Sequence, residues 1–292
     1  MPRTLYLIDA FAQIFRAYYA IRGGIFSPIT REPTHAVFGF TAMLLKLLSQ
    51  YRPDFVTVAI DVPGKTFRDE LYENYKATRA ATPDDLMAQV PCILDLLSRF
   101  GIPVVGWPGL EADDIIATIT DRILHDPSCS DIHIRIIAKD KDLEQLLCER
   151  VTIFDIHTEA VMDAATLWAT KGIRPDQVID MLVLTGDSVD NISGVEGIGP
   201  KTAAQLIQQF GSLEGIFAHL EQIKGRRRES LEKARDTLAL SRALVTLKRE
   251  PEVPFDLEAA KVRPPDVGKI LPLLQELGFR RFQEEVIRLA RS

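Results

Sequence analysis

The chain is 292 residues long, more than one hydrophobic core usually serves, so two domains, or one large domain with an appendage, are expected. Its 46% apolar content excludes extensive disorder, while three scattered cysteines (Cys92, Cys129, Cys148) and five unclustered histidines give no zinc site and fit a reducing cytosol. A net charge of −6 counts against a polyanionic partner, and no uncharged run approaches the roughly 18 residues of a membrane span.

In chain order, residues 5–8 form a short β-rich run that ends at Asp9. The apolar N-terminus carries that acid in its middle and no small-residue cleavage site, so no targeting segment is expected. Residues 36–50 have helical spacing, 55–60 form a second strand ending at Asp61, and 83–100 are helical again. A weaker strand at 103–105 precedes Glu111-Ala112-Asp113-Asp114, which opens a helix over 112–124. The strand 132–138 runs to Asp140, followed by a helix over 141–148 and a weak strand at 151–154. This alternation predicts an α/β fold with a largely parallel sheet flanked by helices. Ligands of such sheets bind beyond the carboxyl ends of the strands, which is where Asp9, Asp61 and Asp140 stand. Gly172 and Pro175 break the chain near 171–175, and from about residue 173 only short helical segments follow, punctuated by glycine and proline.

Nine carboxylates fall at strand ends or helix starts: Asp9, Asp61, Glu111, Asp113, Asp114, Asp140, Asp142, Asp187 and Asp190. Glu111 and Asp114, like Asp187 and Asp190, are three apart and share a helix face; Asp140 and Asp142 alternate with Lys141. Asp is also a favoured helix cap, and for any one group capping is the ordinary reading. Gathered together the nine would repel, at roughly 4 kcal/mol for charges about 4 Å apart in an effective dielectric near 20. Divalent cations would relieve that, and oxygen-only ligation suits Mg²⁺ or Mn²⁺. Such a site supports phosphodiester hydrolysis by metal-activated water. Without these nine, the 41 acids become 32 against 35 Lys and Arg, so the net charge no longer excludes a polyanion.

Between Asp61 and the second helix, Arg68, Tyr72, Tyr75, Lys76 and Arg79 are spaced by threes and fours and would line one helix face, holding phosphates and stacking on bases. A solvated amphipathic helix is the alternative. Gly194-Val195-Glu196-Gly197-Ile198-Gly199-Pro200-Lys201-Thr202 leads into another helix. A glycine hairpin with proline at a helix start offers backbone N–H groups to an anion and holds a duplex without reading its sequence. Lys224, Arg226, Arg227 and Arg228 would extend that track or form a solvated charge run. Two near-matches to a phosphate-binding ATPase loop fail. Residues 59–66 lack the leading glycine and carry Asp61 inside the cradle, and residues 194–202 insert Pro200 before the lysine.

Taken in order, YLIDAFAQIFRAYYA, REPTHAVFGFTAMLLKLL, VAIDVPGKTFRDELYENYKATR, GLEADDIIATI, AKDKDLEQLL and LTGDSVDNISGVEGIGPKTAAQLI resemble the 5′-nuclease domain at the N-terminus of bacterial DNA polymerase I, within the flap endonuclease superfamily. The resemblance runs from about residue 4 to at least 250. It implies a PIN-like catalytic domain at 1–172 with a helical arch at about 63–100. A helical region at 173–292 would carry a helix-three-turn-helix DNA-binding element, its helix-hairpin-helix motif at about 187–215. It implies 5′-3′ exonuclease and 5′-flap endonuclease activity on DNA and RNA primers, with two Mg²⁺ ions (Mn²⁺ as substitute) and a monovalent cation at the glycine hairpin. Asp9, Asp61, Glu111, Asp113 and Asp114 would belong to the first metal centre, with Asp140 and Asp142 between the two and Asp187 and Asp190 toward the second. Tyr75, Lys76 and Arg79 match the arch motif that meets the scissile phosphate; Arg16, Tyr18 or Tyr19, Arg68, Gly197, Gly199, Lys201 and Thr202 would contact DNA. The expected setting is a monomer in the bacterial cytoplasm, working on flaps, nicks and 5′ ends with a DNA polymerase in trans. Ser193 stands where the family turn usually has proline, and no proofreading or polymerase segment follows, which with Met1 and a full tail to Ser292 suggests a free-standing nuclease. A PIN-type ribonuclease and a DNA-binding module without catalysis are the competing readings.

Overall fold

The computed structural model describes residues 2–21 and 24–291, so Met1 and Ser292, on which the free-standing expectation leans, lie outside it. At its centre is β1 (Arg3–Asp9), an apolar run whose successive side chains enter opposite cores: Leu5 and Leu7 one, Tyr6 and Ile8 the other. After α1 (Ala10–Ala20) and α2 (His35–Lys46), β2 (Phe55–Ala59) pairs with β1 in parallel and brings Ala59 opposite Asp9. Next come α3 (Phe67–Leu71), α4 (Asp84–Met87), α5 (Val90–Arg99), β3 (Val104–Val105) and α6 (Ala112–His125). Then β4 (Ile132–Ile137) pairs with the other side of β1, setting Ile8 against Ile137. β5 (Val151–Phe154) is parallel to β4, and β6 (Val161–Met162) is antiparallel to β5. The sheet order is β3-β2-β1-β4-β5-β6. These registers place Asp9, Asp61 and Asp140 together on the carboxyl rim.

All later elements are helical: α7 (Ala164–Lys171), α8 (Val178–Thr185), α9 (Pro200–Phe210), α10 (Leu213–Ala218), α11 (Arg226–Ala234), α12 (Leu238–Val245), α13 (Val267–Glu276) and α14 (Arg280–Leu289). Gly172, left-handed at φ 69°, ends α7. Buried residues of α6 through α12 share the core behind Leu5 and Leu7. The last two helices return to the opposite face and pack with α2 and α5 behind Tyr6 and Ile8. No helix among the described residues is long and apolar enough to cross a membrane.

Four expectations change. α1 was not anticipated; Asp9 caps it by accepting from Ala12 N–H at 3.0 Å. Residues 141–148 do not form an α-helix, because Asp140 caps a tighter 3₁₀ turn over Lys141–Leu146. The helix expected at 83–100 is two, with Pro91 in the first turn of α5. The arch face also fails. α3 stops at Leu71, residues 73–79 follow as turns, and Lys76 has φ 55°, so no single helix carries Arg68 through Arg79. Only the stretch before α5 stands over the rim, since Ile93, Leu96 and Leu97 bind α5 into the core.

Candidate metal centre

The rim acids are fixed by the hydrogen bonds that also make them look like caps. One carboxylate oxygen of Asp9 accepts from Ala12 N–H at 3.0 Å, one of Asp61 from Ala112 N–H at 2.8 Å, and one of Asp140 from Asp142 N–H at 2.8 Å. The second oxygen of each has no donor among the described residues. Capping and ligation are thus not rivals here: the first oxygen orients the side chain and leaves the other for the cleft.

Asp187 and Asp190 reach the rim by a different route. Gly186, at φ 69°, crosses Gly194 so closely that a Cβ on either would lie 2.3–2.4 Å from the other strand's backbone. Asp187 and Ile192 exchange backbone hydrogen bonds of 2.8 and 2.7 Å, closing the loop that carries both acids. Ser193, at the family's proline position, is held by its carbonyl accepting from Ser241 Oγ at 3.0 Å.

A cleft of about 830 Å³ opens on the rim, lined by Asp9, Asp61, Glu111, Asp113, Asp140, Asp187 and Asp190. Asp142 sits just behind it, buried. The residues at 73–79 lie across the acids. Tyr75 Oη donates to Glu111 or Asp190, at 3.0 and 3.1 Å, while Lys76 binds Glu111 and Arg79 binds Asp190. Lys141 Nζ is 3.2 Å from Asp187. Burial and the two neighbouring carboxylates keep the Tyr75 phenol protonated.

The acids that no cation holds are in an awkward electrostatic position. Burial, with the charges of Asp61 and Asp140, pushes Asp9 up to about 7 against the Ala12 hydrogen bond. Burial and the neighbouring Asp140, Asp190 and Asp187 push Asp142 up to about 8, and Asp113 is driven well above its ordinary range by burial and by Asp140, Asp9, Asp142 and Asp61. Asp113 Oδ1 and Asp142 Oδ1 are buried without a hydrogen-bond partner. Orphaned, crowded carboxylate oxygens fit a hard divalent cation. No three Asp, Glu, His or Cys side chains among the described residues form a ready-made ion cage; Lys76, Arg79 and Lys141 hold three of the acids instead.

Asp114 and the candidate DNA contacts do not line this cleft. Asp114 is fully buried and accepts from Arg68 Nη1 at 2.6 Å and Nη2 at 2.9 Å, and from the N–H groups of Glu111 and Lys248 at 3.1 and 2.8 Å. Its oxygens are spoken for. Arg68 is correspondingly not a DNA contact; it is 2% exposed, and its Nε donates to Leu244 O at 2.7 Å. Arg16 pairs with Asp155 at 2.9 Å, and Tyr18 Oη donates to Asp85 at 2.9 Å, while Tyr19 stays exposed. Gly197 and Gly199 are exposed, with open space where a Cβ would project, and Lys201 is exposed at the start of α9. Arg228 pairs with Glu232 at 2.8 Å. Phe11, Phe15, Met87, Lys139 and Lys141 also line the cleft and were not singled out from sequence. The alternation of Lys139, Asp140 and Lys141 was the available signal for two of them.

Known proteins share the sequence pattern and the fold. The family model described as 5′-3′ exonuclease, N-terminal resolvase-like domain, matches residues 4–172, and that described as 5′-3′ exonuclease, C-terminal SAM fold, matches 173–268. A 5′-3′ exonuclease of Aquifex aeolicus is 34% identical over 99% of this chain and 97% of its own length. The thermostable DNA polymerase I of Thermus thermophilus is 38% identical over 94% of this chain, which spans only 32% of that polymerase. Among solved structures, the T5 D15 protein co-crystallised with metal ions aligns with TM-score 0.70 at 22% identity, covering 99% of this chain and 100% of that one. The catalytic core of Rad2 in complex with DNA substrate aligns with TM-score 0.66 at 20% identity, covering 99% and 93%. At these identities the structural likeness is one of fold.

Proposed function

The chain belongs to the 5′-3′ exonuclease family, and from that membership we propose that it hydrolyses phosphodiester bonds at 5′ flaps, nicks and 5′ ends of DNA and in RNA primers. One observation carries the reading: seven carboxylates share one cleft, and Tyr75, Lys76 and Arg79 lie across two of them. In this reading residues 1–172 are the catalytic domain and 173–292 the helical region that holds the duplex, with the helix-hairpin-helix at about 187–215. Asp9, Asp61, Glu111 and Asp113 would hold one Mg²⁺, Asp187 and Asp190 the second, with Asp140 and Asp142 between; Mn²⁺ would substitute. Such ions, when bound, lower the pKa of a water and stabilise the leaving oxygen. A monovalent cation at the Gly197–Gly199 turn, a monomeric state, a bacterial cytoplasmic setting and a polymerase acting in trans complete the proposal.

The chain's own groups divide the remaining work. Tyr75 stands between Glu111 and Asp190, its one hydroxyl proton shared between alternative partners on the two sides of the cleft. Lys76 and Arg79 bring positive charge against the phosphoryl oxygens as their charge develops. The N–H groups at the start of α9, with Lys201, take duplex phosphates away from the chemistry. Lys76→Ala is therefore expected to lower kcat about 10²–10³-fold with affinity changed far less, as single-turnover and binding measurements would show. Lys201→Ala is expected to weaken binding and reduce the slope of log affinity against log salt by about 0.9.

The test is to incubate the protein with a 5′-flap duplex, a blunt duplex and single-stranded RNA, in Mg²⁺ or in EDTA. Mg²⁺-dependent cutting near the flap junction is expected. Preferential cutting of the single-stranded RNA would favour a PIN-type ribonuclease. Tight flap binding with no cleavage in Mg²⁺ or Mn²⁺ would leave a DNA-binding module and overturn the proposal.

A further inference from the structure

Four cationic side chains line the cleft, and three are neutralised by its own acids: Lys76 by Glu111, Arg79 by Asp190 and Lys141 by Asp187. The fourth, Lys139, is exposed and has no ion pair among the described residues. It follows the end of β4, one residue before Asp140, and lines the same cleft, yet it forms no ion pair with the crowded carboxylates beside it.

Its position differs from that of the arch cations. Lys76 and Arg79 stand with Tyr75 against Glu111 and the 187–191 loop. Lys139 comes from the sheet, on the side where Arg16 and Lys46 also lie. Burial above all, and then the charges of Arg16, Lys46 and Lys139, hold His157 below its usual range. Arg16 and Lys46 are each taken by an acid, Asp155 and Glu159, both at 2.9 Å. Among the described residues, Lys139 is thus the one cation of the cleft and its sheet-side margin that could accept an anion without first breaking an ion pair.

We propose that Lys139 binds a backbone phosphate of the substrate strand next to the scissile one, on the wall of the cleft facing the arch. The inference rests on the nuclease reading above. An ammonium on a flexible stem suits a non-scissile phosphate, because it supplies a point charge without demanding a fixed geometry. Such a contact serves binding, so the effect belongs in KM and affinity and not in kcat.

The experiment is a fluorescence-anisotropy titration of a labelled 5′-flap duplex in EDTA at several KCl concentrations, with the parent chain, Lys139→Ala and Lys139→Arg. Lys139→Ala should bind about tenfold more weakly, the loss of one charge-assisted contact. Its salt slope should fall by about 0.7–0.9. Lys139→Arg should restore both, and an unchanged melting temperature should show that the exposed substitution leaves the fold intact. Steady-state cleavage in Mg²⁺ should place the defect in KM. An unchanged slope and affinity for Lys139→Ala, with the parent chain binding and cutting flaps, would overturn this inference alone, as would a fall in kcat with KM unmoved. A parent chain that neither binds nor cuts flaps would overturn the nuclease reading and with it the role of Lys139.

Discussion

Asp113→Asn is expected to unfold at a higher temperature than the parent chain when both are stripped of divalent metal, and to have lost more than about 100-fold in cleavage when Mg²⁺ is present. Asp113 is pressed by Asp140, Asp9, Asp142 and Asp61, and one of its oxygens is buried without a partner. Removing one of two charges about 4 Å apart relieves up to roughly 4 kcal/mol at an effective dielectric near 20. The sign of the pH dependence follows from the direction of the shifts. These carboxyls are raised above their ordinary 3.8, to about 7 for Asp9 and about 8 for Asp142, so the folded chain keeps protons that the unfolded chain has released. Stability from this source is full below the unfolded value and is lost as the pH climbs through the folded ones. The advantage of Asp113→Asn should therefore widen as the pH rises from roughly 4 to 8. Melting curves in EDTA across that range check it. An advantage that stays constant with pH, or a variant that melts lower, would show Asp113 to be a structural cap and not a strained ligand.

Arg68→Met is expected to cost about 3–5 kcal/mol of stability, since it leaves the fully buried Asp114 carboxyl without its cation. The guanidinium reaches Asp114 through two nitrogens, touches Glu111 at 3.2 Å, and donates to Leu244 O of α12 at 2.7 Å. One side chain thus ties the base of the arch segment to the start of α6 and to the helical region. Arg68→Met combined with Asp114→Asn should recover part of the loss, because the amide removes the charge while its one oxygen can still accept from either Glu111 or Lys248 N–H, which reach different oxygens of Asp114. Denaturant unfolding of the parent, both single variants and the double variant measures this coupling. If Arg68→Met kept full stability and lost only DNA affinity, Arg68 would be the DNA contact that its sequence position suggested.

What the sequence revealed and what it concealed follow from the range of the interactions involved. β1, β2 and β4 were legible because each is a short β-rich run followed within three residues by an acid, and their parallel pairing brings those acids to one edge. Asp9, Asp61 and Asp140 could be assigned to one rim for the same reason. The arch was misread because spacing by threes and fours is satisfied equally by a helix and by a short helix followed by turns. The left-handed Lys76 that decides between them has no signal in its side chain. Asp114 was misassigned because its spacing to Glu111 is local, whereas its partner Arg68 lies 46 residues earlier in the chain. The crossing of Gly186 and Gly194 that delivers Asp187 and Asp190 was hidden for the same reason. It is a contact between backbones, and only the absence of two Cβ atoms records it.

In the proposed function the crowded carboxylates hold divalent cations, and titration of the metal-free protein with Mn²⁺, following the EPR signal of the free ion in the absence of DNA, measures that uptake. Saturable uptake of two ions by the parent chain is expected, with a smaller uptake after Asp113→Asn or Asp187→Asn and no change in uptake after Lys201→Ala. Uptake no greater in the parent chain than in the two aspartate variants would contradict that reading.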